Sequence, residues 1–386
     1  MSPGSAPRIA FFSDSFHEVN GVAHTSRQFQ SFAQRRQLPF FSMHVGPEDA
    51  LRQEGPVTIA ELSVSRVSFP VETDMRFDLL AFQHRRELRE QLRKFQPDFI
   101  HITGPGHIGI LGAMLAHEMK VPLIASWHTN LHEFGARRLE SLLSFLPRRV
   151  REAVSHRAET GALACCMRFY RIARKLLAPN PDLVRLLKER TGKPTYPMGR
   201  GVDIDLFHPR RRTRTDKNFV LGYVGRLTPE KNVRLLARVE QAILDAGLGP
   251  YQFLIAGQGS ELDWLRQNLR SAEFTGVLRG EALAEAYANM DLFVFPSTTD
   301  TFGNVIQESL ASGVPAIVTP EGGPKYLVRS GETGIVAANE NAFVRCVLDL
   351  MRNPDTHQAM RLNARQHSCG NTWDHVFERV YEVYAA

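Results

Sequence analysis

Short apolar segments alternate with segments of helical periodicity over most of the 386-residue chain. Residues 8–14, 97–106 and 121–129 are apolar runs that end in glycine or polar residues, and helix-like runs follow the first two. Continuous apolar strands of this kind are typical of parallel sheets covered by helices on both faces. The alternation therefore predicts the α/β class, with doubly wound parallel sheets.

A polar, basic segment interrupts this alternation. Residues 208–218 have no apolar periodicity and are predicted as a linker, after which the strand–helix pattern starts again. The predicted organisation is an N-terminal Rossmann-like domain over 1–207 and a C-terminal Rossmann-like domain over 219–366. A last helix over 367–386 is predicted to return to the first domain. Two such domains would enclose a cleft, and ligands bind beyond the carboxyl ends of parallel strands.

Composition is that of a globular protein in a reducing compartment. Hydrophobic residues make up 43% and charged residues 23% of the chain, and its length suits two domains. The four cysteines, two of them adjacent at Cys165 and Cys166, form neither a disulfide framework nor a zinc-site spacing. The first residues lack the pattern of a signal peptide, and no apolar run approaches the roughly 20 residues that span a bilayer. We expect a cytoplasmic location.

Positive charge is concentrated in the first half. Residues 1–200 hold 28 Lys/Arg against 19 Asp/Glu, a net of +9, whereas the remainder has a net of −3. The region 137–175 interleaves arginines with leucines, and such a basic amphipathic stretch can lie on an anionic membrane surface. Pro147 interrupts any single helix there. A solvated pair of basic helices is the alternative interpretation.

Two acids mark the segment 298–323, TTDTFGNVIQESLASGVPAIVTPEGG. Asp300 precedes a glycine-containing break, and Glu308 lies within the helix-like run that follows. Carboxylates accept several hydrogen bonds each and therefore suit hydroxyl groups, and the free N–H groups of a helix start suit an anion. The residues alone predict a sugar or ribose site near a helix N-terminus.

Two cations follow a predicted strand earlier in the same half. Arg226 and Lys231 stand at a strand-to-helix turn, where they suit a diphosphate, although solvated surface cations are the alternative. Gly257 begins a G-x-G turn that is too short for a dinucleotide fingerprint and would let a ligand approach the backbone. The segment 274–280, with Val277 and Leu278, can present backbone groups to a base or simply connect two elements.

The first half offers polar residues at predicted strand ends. Asn20 and Gly21 follow the first strand, where glycine permits close approach of the backbone or a positive φ. His128 ends another strand, and a satisfied structural histidine is the alternative there. Arg200 is a further cation for the predicted cleft.

These motifs resemble the family 4 retaining glycosyltransferases of GT-B architecture. The resemblance rests on NGVA, SWHTN, GRGVD, GRLTPEKN, GQG, DLFVFPS and the segment 298–323, in the family's order over nearly the whole chain. It is nearest in style to bacterial α-mannosyltransferases and glycolipid hexosyltransferases. One departure is Asp300, where the family most often has Glu; this side chain reaches about 1.5 Å less.

The resemblance implies roles for the candidate residues. Arg226 and Lys231 would neutralise the donor's diphosphate, Glu308 would bind the ribose, and Asp300 would bind hydroxyls of the donor sugar. Gly21 would lie against the diphosphate, and His128 would lie on the C6 side of the sugar. The remaining donor-binding positions are Asn20, Arg200, Gly257, Val277, Leu278, Phe302, Gly303, Asn304 and Val305.

The resemblance also implies the chemistry. A hexose would pass from a nucleotide sugar, GDP-mannose or UDP-glucose, to a lipid-linked or glycan acceptor by front-face substitution, with no protein nucleophile, metal or other cofactor. Membrane contact would be peripheral, at the inner face of the cell membrane. A nucleotide-sugar sensor on the same fold is an alternative. A nucleic-acid-binding protein is another, suggested by the pI near 9.2, but it leaves the two acids unexplained.

Overall fold

The structure is a computed structural model that describes residues 6–18, 20–63, 68–72, 75–128 and 148–386. The chain divides into two compact units. The first comprises residues 1–199 together with 377–386, and the second comprises residues 200–376. Each unit is built on its own sheet.

The first unit contains an eight-stranded sheet in the order β10-β9-β8-β7-β1-β2-β4-β3. Every neighbouring pair is parallel except β3 with β4, and a separate antiparallel pair is formed by β5 and β6. The strands are β1 Ile9–Ser13, β2 Phe40–Gly46, β3 Ala50–Glu54, β4 Val57–Ser63, β5 Phe69–Glu72, β6 Met75–Phe77, β7 Phe99–Ile102, β8 Leu123–Ser126, β9 Lys175–Ala178 and β10 Thr195–Pro197.

Helices cover this sheet. They are α1 Gly21–Arg35, α2 Arg85–Phe95, α3 His107–Met119, α4 Arg148–Tyr170 and α5 Pro181–Thr191, with a 3-10 helix at Leu79–His84. The last helix of the chain, α12 Trp373–Ala385, also contributes, because Phe377 stacks on Phe29 of α1 with ring centroids 4.4 Å apart. Phe377, Tyr381 and Tyr384 are all buried, so the carboxyl end of the chain completes the core of the first unit.

The second unit contains a six-stranded, wholly parallel sheet in the order β13-β12-β11-β14-β15-β16. Its strands are β11 Phe219–Val224, β12 Tyr251–Ala256, β13 Ala272–Gly276, β14 Leu292–Phe295, β15 Ala316–Val318 and β16 Gly334–Val336. Its helices are α6 Leu235–Asp245, α7 Leu262–Asn268, α8 Gly280–Ala288, α9 Asn304–Ala311, α10 Glu340–Arg352 and α11 Pro354–Ser368, with 3-10 helices at Pro209–Arg211, Pro229–Lys231 and Pro324–Tyr326. Two parallel-sheet units confirm the predicted α/β class.

The predicted linker 208–218 lies inside the second unit. Arg212 and Arg214 both bond the carboxylate of Asp291, which is 14% exposed and also accepts the backbone N–H of Val220. These bonds hold the polar segment against the start of β11. The division between the two units falls at Gly199 and Arg200 instead.

Candidate active site

The candidate residues of the second unit lie at one edge of its sheet. Arg226 follows β11, Gly257 follows β12, Val277 and Leu278 follow β13, and Asp300 follows β14. These four strands are consecutive and parallel, so their carboxyl ends meet at the same edge. Arg226 and Asp300, which are more than 70 positions apart in the sequence, therefore lie at the same edge of the sheet.

Lys231 and Asp300 form a direct ion pair there. The ammonium Nζ lies 2.8 Å from each carboxylate oxygen of Asp300, and the two side chains are only 11% and 24% exposed. The Ser297 hydroxyl donates to Oδ2 of the same carboxylate at 2.5 Å. Asp300 thus positions the ammonium group. Among the described residues Oδ1 accepts only from Lys231, so it can also accept from a hydroxyl group.

Arg226 presents its guanidinium group to solvent. The side chain is 56% exposed and lies 4.0 Å from the carboxylate of Glu230. Its main chain is fixed, because the buried Tyr223 hydroxyl donates to the Arg226 carbonyl oxygen at 2.9 Å. A rigid backbone with an exposed planar cation is suited to binding a phosphate group.

Gly257 and Gly259 hold the loop that carries Arg226. The Leu227 N–H donates to the Gln258 carbonyl at 2.9 Å, which ties the two loops together. A Cβ atom on Gly257 would lie 1.9 Å from the Gly225 oxygen, and one on Gly259 would lie 2.1 Å from the Leu227 oxygen. The close approach expected of Gly257 is thus between two loops of the protein.

Gly303 leads into helix α9. It has φ of +97°, and Asn304 is the first helical residue behind it. A turn at Gly322 and Gly323 packs on this loop, since the Gly323 N–H donates to the Asp300 carbonyl at 2.7 Å. Of the neighbouring candidates, Phe302 is buried and Val305 packs on the core.

Glu308 projects from α9 towards Tyr287. The tyrosine hydroxyl donates to Oε2 of Glu308 at 2.9 Å. Burial raises the pKa of the Glu308 carboxyl to about 7, although the hydrogen bond from Tyr287 acts in the opposite direction. Within the described residues Oε1 has no recorded partner, so one carboxylate oxygen remains for a ligand hydroxyl.

Arg200, Val277 and Leu278 lie around these groups in different ways. Burial lowers the pKa of Arg200 to about 10, so the group stays charged at neutral pH, and its guanidinium carbon lies 5.9 Å from the centroid of the Phe302 ring. Val277 is 52% exposed, whereas Leu278 packs partly against the core. An exposed apolar side chain at the sheet edge can contact the flat face of a base.

In the first unit, Asn20 caps helix α1. Its Oδ1 accepts the Ala23 N–H at 2.8 Å and its Nδ2 donates to the Ser15 hydroxyl at 2.8 Å. Both ends of the side chain are therefore engaged in the cap. Gly21 is the first residue of the helix, at its positive end.

His128 follows β8, and its ring is almost fully buried. Nε2 lies 2.7 Å from the Ser126 hydroxyl oxygen. Thr129 and Asn130, which complete the SWHTN motif, lie outside the described residues. Strands β1, β7 and β8 are parallel neighbours, so His128, which follows β8, and Asn20, which follows β1, lie at the carboxyl edge of the first sheet.

The sequence of this chain is similar to that of known proteins over most of its length. The family model "Glycosyltransferase Family 4" matches residues 19–206, and "Glycosyl transferases group 1" matches residues 218–353. A GDP-mannose-dependent alpha-mannosyltransferase of Mycolicibacterium smegmatis is 33% identical over 305 residues, covering 76% of this chain and 75% of the relative. The chain belongs to the family 4 glycosyltransferases.

A second relative is similar in sequence, and a solved structure is similar in fold. A GDP-mannose-dependent alpha-mannosyltransferase of Mycobacterium tuberculosis is 29% identical to this glycosyltransferase, covering 98% of the chain and 96% of the relative. Sucrose-phosphate synthase from Thermosynechococcus elongatus has a similar fold, with a TM-score of 0.70 and 17% identity over 98% of each chain. The predicted GT-B fold class and hexosyl-transferring enzyme class are confirmed.

Three side chains of the glycosyltransferase have the types and spacing of a metal-ligand group. His17 Nε2 lies 3.3 Å and His44 Nδ1 lies 3.8 Å from Oε1 of Glu61. Nδ1 of His44 also lies 3.1 Å from the Val45 carbonyl, to which it can donate. A metal at Nδ1 would move the proton to Nε2, which is buried and unpartnered within the described residues. The group therefore fits a hydrogen-bonded cluster better than a metal centre.

The predicted membrane-binding region 137–175 is only partly described. Residues 137–147 lie outside the described residues, and Arg148–Tyr170 form helix α4 of the glycosyltransferase. In the described parts of the chain, no helix combines the length and apolar character needed to cross a bilayer.

Sequence reasoning missed several residues that support the candidate groups of the glycosyltransferase. Ser297, Tyr223 and Tyr287 hold Asp300, Arg226 and Glu308 in turn. Ser297 carried a usable signal, because it lies two positions after the end of strand β14 and three positions before Asp300. Tyr223 and Tyr287 have the sequence pattern of core residues, and no pattern in the sequence indicates that their hydroxyls form hydrogen bonds.

Proposed function

We propose that this glycosyltransferase transfers a hexose with retention of configuration and without a catalytic metal. The donor would be GDP-mannose or, as the second choice, UDP-glucose. The observation that carries the proposal is the Lys231–Asp300 pair beside the exposed Arg226 at the carboxyl edge of the second sheet. Two cations at this edge supply the charge that a metal would otherwise bring to a leaving diphosphate.

Lys231 and Arg226 would both bind the diphosphate, each in its own way. Asp300 and Ser297 hold the Lys231 ammonium at a fixed place, and two of its three hydrogens are committed to the carboxylate. The third hydrogen would donate to a phosphate oxygen. Arg226, which is exposed, would close on the diphosphate when it binds.

Hydroxyl groups of the donor would meet the two carboxylates. Glu308 would accept from the ribose through Oε1, because Oε2 is engaged by Tyr287. Asp300 would accept from the sugar through Oδ1, and the backbone of 302–304 would contact the sugar and phosphate. Gly21 would approach the diphosphate, and His128 would face the C6 side of the sugar.

The reaction would proceed on one face of the sugar. The bond from sugar C1 to the β-phosphate oxygen breaks, and the bond from C1 to the acceptor oxygen forms on the same side. The acceptor's hydroxyl proton passes to the departing β-phosphate oxygen. Charge on that oxygen grows as the bond breaks, so fixed cations stabilise the transition state more than the bound substrate.

GDP-mannose is the preferred donor because two relatives that resemble the chain are named for it. The proposed acceptor is lipid-linked or glycan, with peripheral contact to an anionic membrane through the basic 137–175 region. Sedimentation with phosphatidylglycerol-containing vesicles at low salt tests that contact, and a chain that stays in the supernatant would refute it.

Thermal stability in the presence of GDP, UDP and ADP tests the donor assignment. A nucleotide at about 100 times its dissociation constant should add about 2.7 kcal/mol to stability. Lys231→Met should reduce kcat about 100- to 1,000-fold with GDP-mannose, since it removes a cation from the leaving group. Lys217→Met, which alters an exposed lysine at the opposite edge of the sheet, serves as the matched control.

Three results would contradict the proposal. The first is that none of the three nucleotides raises the melting temperature. The second is that Lys231→Met has the same kcat as Lys217→Met, and the third is that chelation with EDTA abolishes turnover. Proton NMR of the product decides retention, because an anomeric configuration opposite to that of the donor would exclude front-face substitution.

A further inference from the structure

A chain of buried polar side chains runs from the last helix to His128 within the first unit. The Tyr384 hydroxyl oxygen of α12 lies 2.5 Å from Nδ1 of His101 on β7. Nε2 of His101 lies 3.0 Å from the Ser126 hydroxyl oxygen on β8, and that oxygen lies 2.7 Å from Nε2 of His128. At most 8% of any of the four side chains is exposed.

The direction of the first hydrogen bond follows from Tyr384. Burial raises the pKa of its hydroxyl, so the proton stays on the oxygen. Within the described residues His101 Nδ1 is the one recorded acceptor for this hydroxyl. If Nδ1 carried a proton instead, the tyrosine hydrogen would be buried and unpaired, which is the costly outcome for a donor.

The bond from Tyr384 decides which ring nitrogen of His101 carries the hydrogen. Burial lowers the pKa of its imidazole to about 3, so the ring is neutral and carries one N–H. With Nδ1 accepting from Tyr384, that N–H is at Nε2 and donates to the Ser126 oxygen at 3.0 Å, an ordinary N–H···O length. Phe11 and Phe29 pack against the ring and restrict its rotation.

Ser126 has a single hydrogen to give. Two acceptors are near its oxygen, the Ile102 carbonyl at 3.3 Å and Nε2 of His128 at 2.7 Å. Hydroxyl hydrogen bonds span about 2.5–3.0 Å, so the carbonyl lies beyond the usual range and the imidazole nitrogen within it. Ser126 therefore donates to Nε2 of His128.

We propose that Tyr384, His101 and Ser126 form a positioning relay that holds His128 as the Nδ1–H tautomer. Nε2 is then an acceptor inside the protein, and Nδ1 carries the hydrogen. The positioning role of this relay rests on the proposed function, in which His128 faces the donor sugar.

Nitrogen NMR of histidine-labelled full-length protein tests the tautomer without any assay of turnover. His128→Gln assigns the His128 ring signals by their disappearance. We expect the wild-type His128 to show a protonated Nδ1 and an unprotonated Nε2. A protonated Nε2 in the wild type would overturn the relay.

Two matched tyrosines on α12 test the role in the reaction. Tyr384→Phe removes the hydroxyl that orients His101, and we expect kcat to fall about 2- to 10-fold with KM unchanged. Tyr381→Phe removes a buried hydroxyl from the same helix that has no hydrogen-bond partner in the described residues, so it should leave kcat unchanged. Equal effects of the two variants would overturn the positioning role.

Ser126 tests the link nearest to His128. Ser126→Ala removes the donor to Nε2, so the His128 ring signals should show loss of the single tautomer, and kcat should fall at least as far as in Tyr384→Phe. Ser126→Thr retains a hydroxyl and should restore both. Unchanged His128 signals in Ser126→Ala would overturn the relay, whereas failure of the proposed function would appear as a wild-type protein that transfers no hexose.

Discussion

Glu308 is a residue whose surroundings favour its uncharged form. Burial raises the pKa of the carboxyl to about 7 from an ordinary value of 4.5. The folded state therefore binds a proton that the unfolded state has lost between these two values, and stability falls as the pH rises from 4.5 to 7. The charged form of Glu308 therefore lowers the stability of the free protein above about pH 7.

Glu308→Gln should consequently stabilise the protein and weaken the binding of GDP. The amide oxygen can still accept from Tyr287, while the cost of burying a charge disappears. We expect the free energy of unfolding in urea to rise by about 1–3 kcal/mol at pH 8 and to match the wild type near pH 4. The Kd for GDP should increase about 10-fold.

Glu273→Gln, at an exposed position of β13, provides the control and should change neither quantity. A Glu308→Gln variant that is no more stable than the wild type at pH 8 would refute the raised pKa. Unchanged affinity for GDP would remove Glu308 from the ribose contact.

Sequence reasoning identified Lys231 and Asp300 individually but could not predict that they bond each other. The two residues are 69 positions apart, and only the adjacency of β11 and β14 brings them together. Neither Ser126 nor His101 was a candidate from the sequence, and their hydrogen bond depends on the register of β7 and β8.

At the scale of elements, buried parallel strands were predictable and exposed ones were not. Strands such as β11 and β14 are continuous apolar runs because both faces of the sheet are covered. Strand β3 is exposed along nearly its whole length and pairs only at the antiparallel edge, so it carries no apolar pattern. The last helix begins at Trp373 rather than at 367, because α11 runs on to Ser368.

The loop pair at 225–227 and 257–259 depends on glycine. Gly257→Ala would place Cβ 1.9 Å from the Gly225 oxygen at a φ of +152°, so the loop that carries Arg226 must shift. We expect a loss of about 2–4 kcal/mol in unfolding free energy and a fall in kcat of more than 10-fold. Urea unfolding and turnover of GDP-mannose measure the two effects.

Gly161→Ala is the matched control, because Gly161 lies within α4 and a Cβ atom there meets nothing within 4 Å. It should stabilise the protein slightly, by about 0.5–1 kcal/mol. If both alanine variants had the same stability as the wild type, the close approach of the two loops would play no part in the fold.

At the scale of the whole molecule, the predicted linker over residues 208–218 differs from the observed division at Gly199 and Arg200 for a physical reason. A run of arginines has the same composition whether water or a carboxylate surrounds it. Here the carboxylate of Asp291 forms ion pairs with Arg212, Arg214 and Arg361. These ion pairs hold the linker-like segment in the second unit.

Asp291→Ala should release this segment. Removing the carboxylate takes away the negative charge that these three partly buried arginines share, and we expect a loss of about 3–5 kcal/mol in unfolding free energy. Trypsin should then cut rapidly between 210 and 217 in the variant but slowly in the wild type. Asp216→Ala removes an exposed partner of Arg214 and should cost less than about 1 kcal/mol. Rapid tryptic cutting of the wild type would show that the segment is a linker after all.

The burial of Phe377, Tyr381 and Tyr384 in the first unit has a consequence for biosynthesis. The ribosome makes these residues only after the strands of both sheets. Domains usually fold in the order of synthesis. In this chain the first sheet stays incompletely covered until residues 377–386 have been made, so chaperones would have prolonged access to the unit that emerges first.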